Sequence, residues 1–128
     1  MSAPAPGLGE ILAHTRERVA ARKNQYPLER LLASAPTPGA RRPFGRALEN
    51  GDRPNVIAEF KRRSPSRGVI REDLHPVNVA QAYEVAGAAA LSILTEEDFF
   101  GGCLDDLQQA RYATLLPTLC KEIGRAHV

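Results

Sequence analysis

Two charged residues separated by one position, Glu59 and Lys61, carry the strongest chemical signal in the chain. They close a short apolar run, Val56-Ile57-Ala58, and open the polar stretch Arg62-Arg63-Ser64-Pro65-Ser66-Arg67-Gly68. In a β-strand, side chains alternate between faces, so Glu59 and Lys61 point the same way and Phe60 points the other. An opposite-charge pair at the mouth of an apolar sheet is mutually supported and, when partly buried, electrostatically strong. A paired lysine can donate a proton or bind a carboxylate or phosphate, with the glutamate orienting it and holding its charge. An ordinary ion pair at a strand end is the competing explanation. Ser64, Ser66 and Gly68 could offer hydroxyl and backbone donors to a phosphate, although on its own that run is better explained as a plain polar turn.

The elements that must position these groups follow a regular rhythm. Leu8, Ile11, Leu12 and Val19 recur at helical spacing and predict an amphipathic helix from about Leu8 to Lys23. Leu28, Leu31 and Leu32 suit a second short helix, and residues 35–43 form a Pro/Gly-rich connector. A helical turn over Phe44 to Glu49 and a turn cluster at Asn50 to Pro54 follow. Beyond them come a buried strand from Val56 and a polar loop over residues 62–76. Next are a helix over Val77 to Ala86, stopped by Gly87, and a strand over Ala90 to Leu94. A loop from Thr95 to Gly102, a helix over Leu104 to Ala113 and a third strand beginning at Leu115 complete the order.

Non-alternating strands joined by helices imply parallel pairing with both faces covered. That leaves a (βα)8 barrel or an open doubly wound sheet. A dinucleotide-binding sheet would place a glycine fingerprint directly after its first strand. Here charged side chains stand there instead, as they do at the catalytic end of barrel strands.

Composition sets outer bounds. Of 128 residues, 43% are hydrophobic and 25% charged, a globular balance rather than a disordered one. The net charge of +2, with basic residues dispersed, argues against nucleic acid or a membrane surface as partner. The two cysteines, Cys103 and Cys120, form no C-x-x-C pair, so neither a zinc site nor a redox dithiol is suggested. Reduced thiols in a cytoplasmic protein are the expectation. Residues 1–7 read as a disordered start without the features of a secretory signal.

The run Ile57-Ala58-Glu59-Phe60-Lys61-Arg62-Arg63-Ser64-Pro65-Ser66-x-Gly68 resembles the first-strand signature of the indole-3-glycerol-phosphate synthases. Leu91-Ser92-Ile93-Leu94-Thr95-Glu96-Glu97-x-Phe99-Phe100-x-Gly102 resembles their second strand and its loop, and Leu116-Pro117-Thr118-Leu119-Cys120-Lys121 their third. The resemblance covers the chain from Leu8 to Lys121. It implies an α/β fold, the N-terminal portion of a (βα)8 TIM barrel, with a helical extension over residues 1–50 and about three βα strands over 51–121.

The reaction it implies closes an indole ring in tryptophan biosynthesis. The substrate, 1-(2-carboxyphenylamino)-1-deoxyribulose 5-phosphate, would lose carbon dioxide and water to give indole-3-glycerol phosphate, with no metal or organic cofactor. By the same resemblance, Lys121 is the general acid, Lys61 contacts the substrate and serves later proton transfer, and Glu59 supports Lys61. Ser64 helps bind the phosphate and Phe100 lines the pocket for the aromatic ring. The family also admits fusion or association with other tryptophan-pathway enzymes.

Residues 122–128 depart from the family pattern. They match what a common sequencing adapter encodes in one frame, so they are expected to be non-native, and His127 is given no role. Strands later in the family barrel carry the remaining carboxylate, amide and phosphate-binding groups, so the chain alone is expected to be inactive. Two other readings compete: another phosphate-binding barrel such as a phosphoribosylanthranilate isomerase, whose signature the first-strand run does not match, and an anion- or nucleic-acid-binding module built on Lys61, Arg62 and Arg63.

Overall fold

The computed structural model describes residues 5–35, 41–49 and 51–121, so the expected non-native tail at 122–128 lies outside the described residues. These residues fall into two compact units, one before residue 41 and one from residue 41 onward. The first holds α1 (Leu8–Gln25) and α2 (Leu28–Ala33). The Glu10 carboxylate accepts the Gly7 N–H at 2.7 Å, satisfying one of the orphan amides of the first turn, and Arg22 and Lys23 sit in the last turn where the helix dipole favours cations. α1 runs two residues beyond the expected end. It buries no residue, and Leu8 and Leu12 stay exposed.

The second unit carries the sheet. Its order is α3 (Phe44–Ala47), β1 (Ile57–Phe60), β2 (Arg63–Ser64), β3 (Gly68–Val69), α4 (Pro76–Val85), β4 (Ala90–Leu94), α5 (Leu104–Ala113) and β5 (Thr118–Lys121). β1, β4 and β5 form one sheet in that order, with both pairings parallel. Parallel neighbours require a crossover, and α4 and α5 supply the two crossovers. β4 lies in the middle and is buried along its whole length, which is why Ala90 to Leu94 reads as an uninterrupted run rather than an alternating one.

Phe60, Leu91 and Ile93 pack with Ala80 of α4 and with Leu107 and Ala110 of α5 as the core. Fully burying a side chain such as Leu91 or Ile93 contributes about 1.5–3 kcal/mol. The register sets Glu59 beside Ser92 and Leu94 beside Lys121, on the face opposite this helix-covered one.

α4 starts with Pro76 at its first position, where a missing N–H costs nothing. It ends as the sequence predicts: Gly87 has φ +88°, its N–H donates to Glu84 O, and Ala88 N–H reaches back to Tyr83 O.

Three expectations are corrected. The first strand starts at Ile57 rather than Val56, and of its residues only Phe60 is buried, because β1 lies at a sheet edge. The stretch over residues 62–76 is not simply a loop, because Arg63–Ser64 and Gly68–Val69 pair antiparallel in a small hairpin. The third strand begins at Thr118 rather than Leu115. Leu115 is 83% exposed, with its N–H donated to the Glu84 carboxylate.

No helix among the described residues is long and apolar enough to cross a membrane.

Candidate active site

The ends of the parallel strands bring one carboxylate and two ammonium groups together. Glu59 sits on β1, and its Oε1 lies 3.1 Å from Lys61 Nζ, as same-face alternation predicts. Its Oε2 accepts from Lys121 Nζ at 2.8 Å, although Lys121 is 62 residues away in the chain. The parallel register makes this contact: β5 lies two strands from β1, and the long lysine side chain crosses the intervening β4. Ser92, buried on β4 beside Glu59, directs its hydroxyl to the same Oε2 at 3.5 Å.

Burial pushes the Glu59 carboxyl up. Hydrogen bonds and charge from Lys121 and Lys61 together outweigh that, holding it below the usual carboxylate range. Glu59 is therefore an anion that fixes two cations, and the cluster carries one net positive charge. Such an arrangement can deliver a proton from an ammonium to a carbonyl oxygen and hold a carboxylate or phosphate nearby.

The lysine carbonyl is held as well. Thr95, buried just past β4, donates its N–H at 2.8 Å and its hydroxyl at 3.1 Å to Lys121 O. These bonds fix the backbone from which the Lys121 side chain reaches Glu59.

The remaining predicted residues lie in the connecting segments. Ser64 closes the β2–β3 hairpin. It is 9% exposed, and its Oγ accepts the Arg67 N–H at 3.2 Å. A hydroxyl that accepts one bond can still donate its own hydrogen to a phosphate. Phe100 is half-buried in the turn after β4 and is not among the side chains packed into the core. No hydrogen bond joins Ser64 or Phe100 to the Glu59 cluster among the described residues.

Several site-building residues are invisible as chemistry in the sequence. Ser92 and Thr95 are two of them; a lone serine inside an apolar strand was the only available signal. Arg62 stacks 4.9 Å from the centre of the Phe60 ring and makes a bidentate ion pair with the buried Asp106. Asp106 in turn accepts the Cys103 N–H and so caps α5. Its hydrogen bond to Asp106, with burial opposing, raises the Arg62 pKa. Arg63 donates to the carbonyls of Glu97 and Asp98. The three cations of the anion-binding alternative are thus each engaged within the fold: Lys61 by Glu59, Arg62 by Asp106, and Arg63 by the β4–α5 turn.

Comparison with known proteins gives a consistent pattern. Residues 8–123 match the family model described as indole-3-glycerol phosphate synthase. The chain is 47% identical over 118 residues to the indole-3-glycerol phosphate synthase of Dechloromonas aromatica (strain RCB), covering 90% of this chain and 45% of that protein. The relative in Azoarcus sp. (strain BH72), of the same name, gives the same identity and coverage. The one in Rhodopirellula baltica is 44% identical over 115 residues, covering 90% of this chain and 44% of that protein. The chain therefore spans a little under half the length of these curated relatives.

Proposed function

The chain belongs to the indole-3-glycerol phosphate synthase family, and on that premise we propose that its residues form part of a site that closes an indole ring. The three parallel strands are read as the first strands of a (βα)8 barrel, with the site at their C-terminal ends. The observation that carries the reading is the single Glu59 carboxylate shared by the ammonium groups of Lys61 and Lys121 at that end. The substrate is 1-(2-carboxyphenylamino)-1-deoxyribulose 5-phosphate, and the products are indole-3-glycerol phosphate, carbon dioxide and water.

Ring closure forms a carbon–carbon bond at the substrate carbonyl, whose oxygen gains negative charge. Lys121 donates a proton from Nζ to that oxygen, while Glu59 holds the ammonium and Thr95 holds the backbone that carries it. Lys61 binds the substrate and serves a later proton transfer. Ser64 donates its hydroxyl to the phosphate, and Phe100 supplies an apolar wall for the aromatic ring.

Three strands cannot close a barrel, and Ile57 and Leu119, on β1 and β5 at the two sheet edges, stay exposed. The 128-residue polypeptide alone is therefore proposed to be inactive. The test adds substrate to the whole gene product that contains these residues, and separately to the 128-residue chain, and follows formation of indole-3-glycerol phosphate by the fluorescence of its indole ring. Turnover by the first and none by the second is expected. No turnover by a folded whole gene product would overturn the proposed activity, and turnover by the short chain would overturn its inactivity.

A further inference from the structure

The turn that follows β4 is bound by protein groups on both sides. From within, the Glu96 side chain, on a residue only 9% exposed, accepts three consecutive backbone amides: Asp98 N–H on Oε1 at 3.1 Å, and Phe99 and Phe100 N–H on Oε2 at 2.7 and 3.0 Å. From outside, Arg63 of the β2–β3 hairpin donates to the carbonyls of Glu97 and Asp98 at 3.1 and 2.8 Å. The far end is closed by Gly102, whose N–H donates to Glu96 O at 2.8 Å. A Cβ at Gly102 would stand 1.9 Å from Leu94 O, so only glycine lets the chain return this close to the strand.

We propose that Glu96 is a positioning residue for the aromatic wall of the site, acting through the backbone of Phe99 and Phe100. This rests on the proposed function, in which Phe100 meets the aromatic ring of the substrate. A carboxylate with both oxygens committed to amides within its own turn has little left to offer a substrate. It fixes a surface segment that would otherwise lack regular hydrogen bonds. With its backbone held, Phe100 has only its two side-chain torsions left to place the ring. A ring placed in advance costs less ordering when the substrate binds, so the benefit falls on binding rather than on proton transfer. Arg63 adds the complementary grip and ties the turn to the segment that follows Glu59 and Lys61.

The experiment compares the whole gene product with its Glu96→Gln and Arg63→Met variants, by steady-state kinetics and by backbone amide exchange. Glutamine keeps the size of the side chain but turns an NH2 toward an amide donor. Glu96→Gln is expected to raise KM about tenfold and to leave kcat within about twofold. Exchange at Asp98, Phe99 and Phe100 should quicken while that of β4 stays unchanged. Arg63→Met should shift KM in the same direction by a smaller factor. A fall in kcat with KM unchanged would mean that Glu96 only supports folding, and would overturn the proposal. Unchanged exchange at residues 98–100 would overturn it too. Absence of turnover in the unsubstituted protein would refute the proposed activity instead, and the grip on the turn would then be judged by the exchange data alone.

Discussion

Two glutamates stand at the ends of neighbouring strands, and their surroundings give them different work. Glu59, on β1, has a side chain 29% exposed and is held by the tips of two long lysines. Glu96, two residues beyond β4, is almost fully buried and bound by three amides of its own turn. Lysine side chains can move and carry a transferable proton, whereas the amides that hold Glu96 are fixed in the backbone of its own turn. Under the proposed function, the same carboxylate is the centre of a reactive cluster in one region and a fixed brace in the other. The contrast arises from what the fold delivers to each position, not from residue type.

The largest effect that would sharpen this contrast is expected at Lys121. In the whole gene product, Lys121→Met should lower kcat/KM by about a thousandfold, the scale seen when a group stabilising a developing oxyanion is removed. Steady-state kinetics check it, and a loss of less than about tenfold would move the proton donor elsewhere.

Arg62→Met comes next and acts on α5 rather than on either glutamate. It strands the Asp106 carboxylate in a buried position beside Cys103. Breaking one side of such a pair costs about 3 kcal/mol, measurable by urea unfolding. A cost near zero would show that α5 keeps its place without the hairpin.

The smallest effect concerns acidity. Burial raises the Glu59 pKa and the two lysines lower it further, so its folded value lies below its unfolded one. Its contribution to stability is complete above the ordinary glutamate range and is lost as pH falls through the depressed folded value. Urea midpoints measured downward from neutral pH should therefore fall less steeply in Glu59→Gln than in the unsubstituted protein. An identical slope would mean that the lysines do not hold Glu59 ionised.

The strands and crossover helices were legible because each apolar run is short, bounded by turn residues and separated from the next by a helical pattern. The Glu59–Lys61 pair was legible from alternation alone. The β2–β3 hairpin was not, since two-residue strands have no periodicity to read. Leu115 is apolar and so extends the pattern of the third strand, but apolar residues also occur on surfaces. Lys121 entered the site by family resemblance; its contact with Glu59 depends on strand register, which nothing local encodes. Arg62 and Asp106 are 44 residues apart, and no spacing rule pairs them. Glu96 stands in the segment after the second strand, but its amide contacts depend on a turn closing around its side chain, which no local pattern encodes.

The most direct test of the central claim sets Glu59→Gln beside Glu96→Gln in one kinetic series on the whole gene product. The account predicts that Glu59→Gln lowers kcat by at least about a hundredfold with a modest change in KM, while Glu96→Gln raises KM and spares kcat. The same kinetic signature from both substitutions would contradict the division between a reactive and a bracing carboxylate.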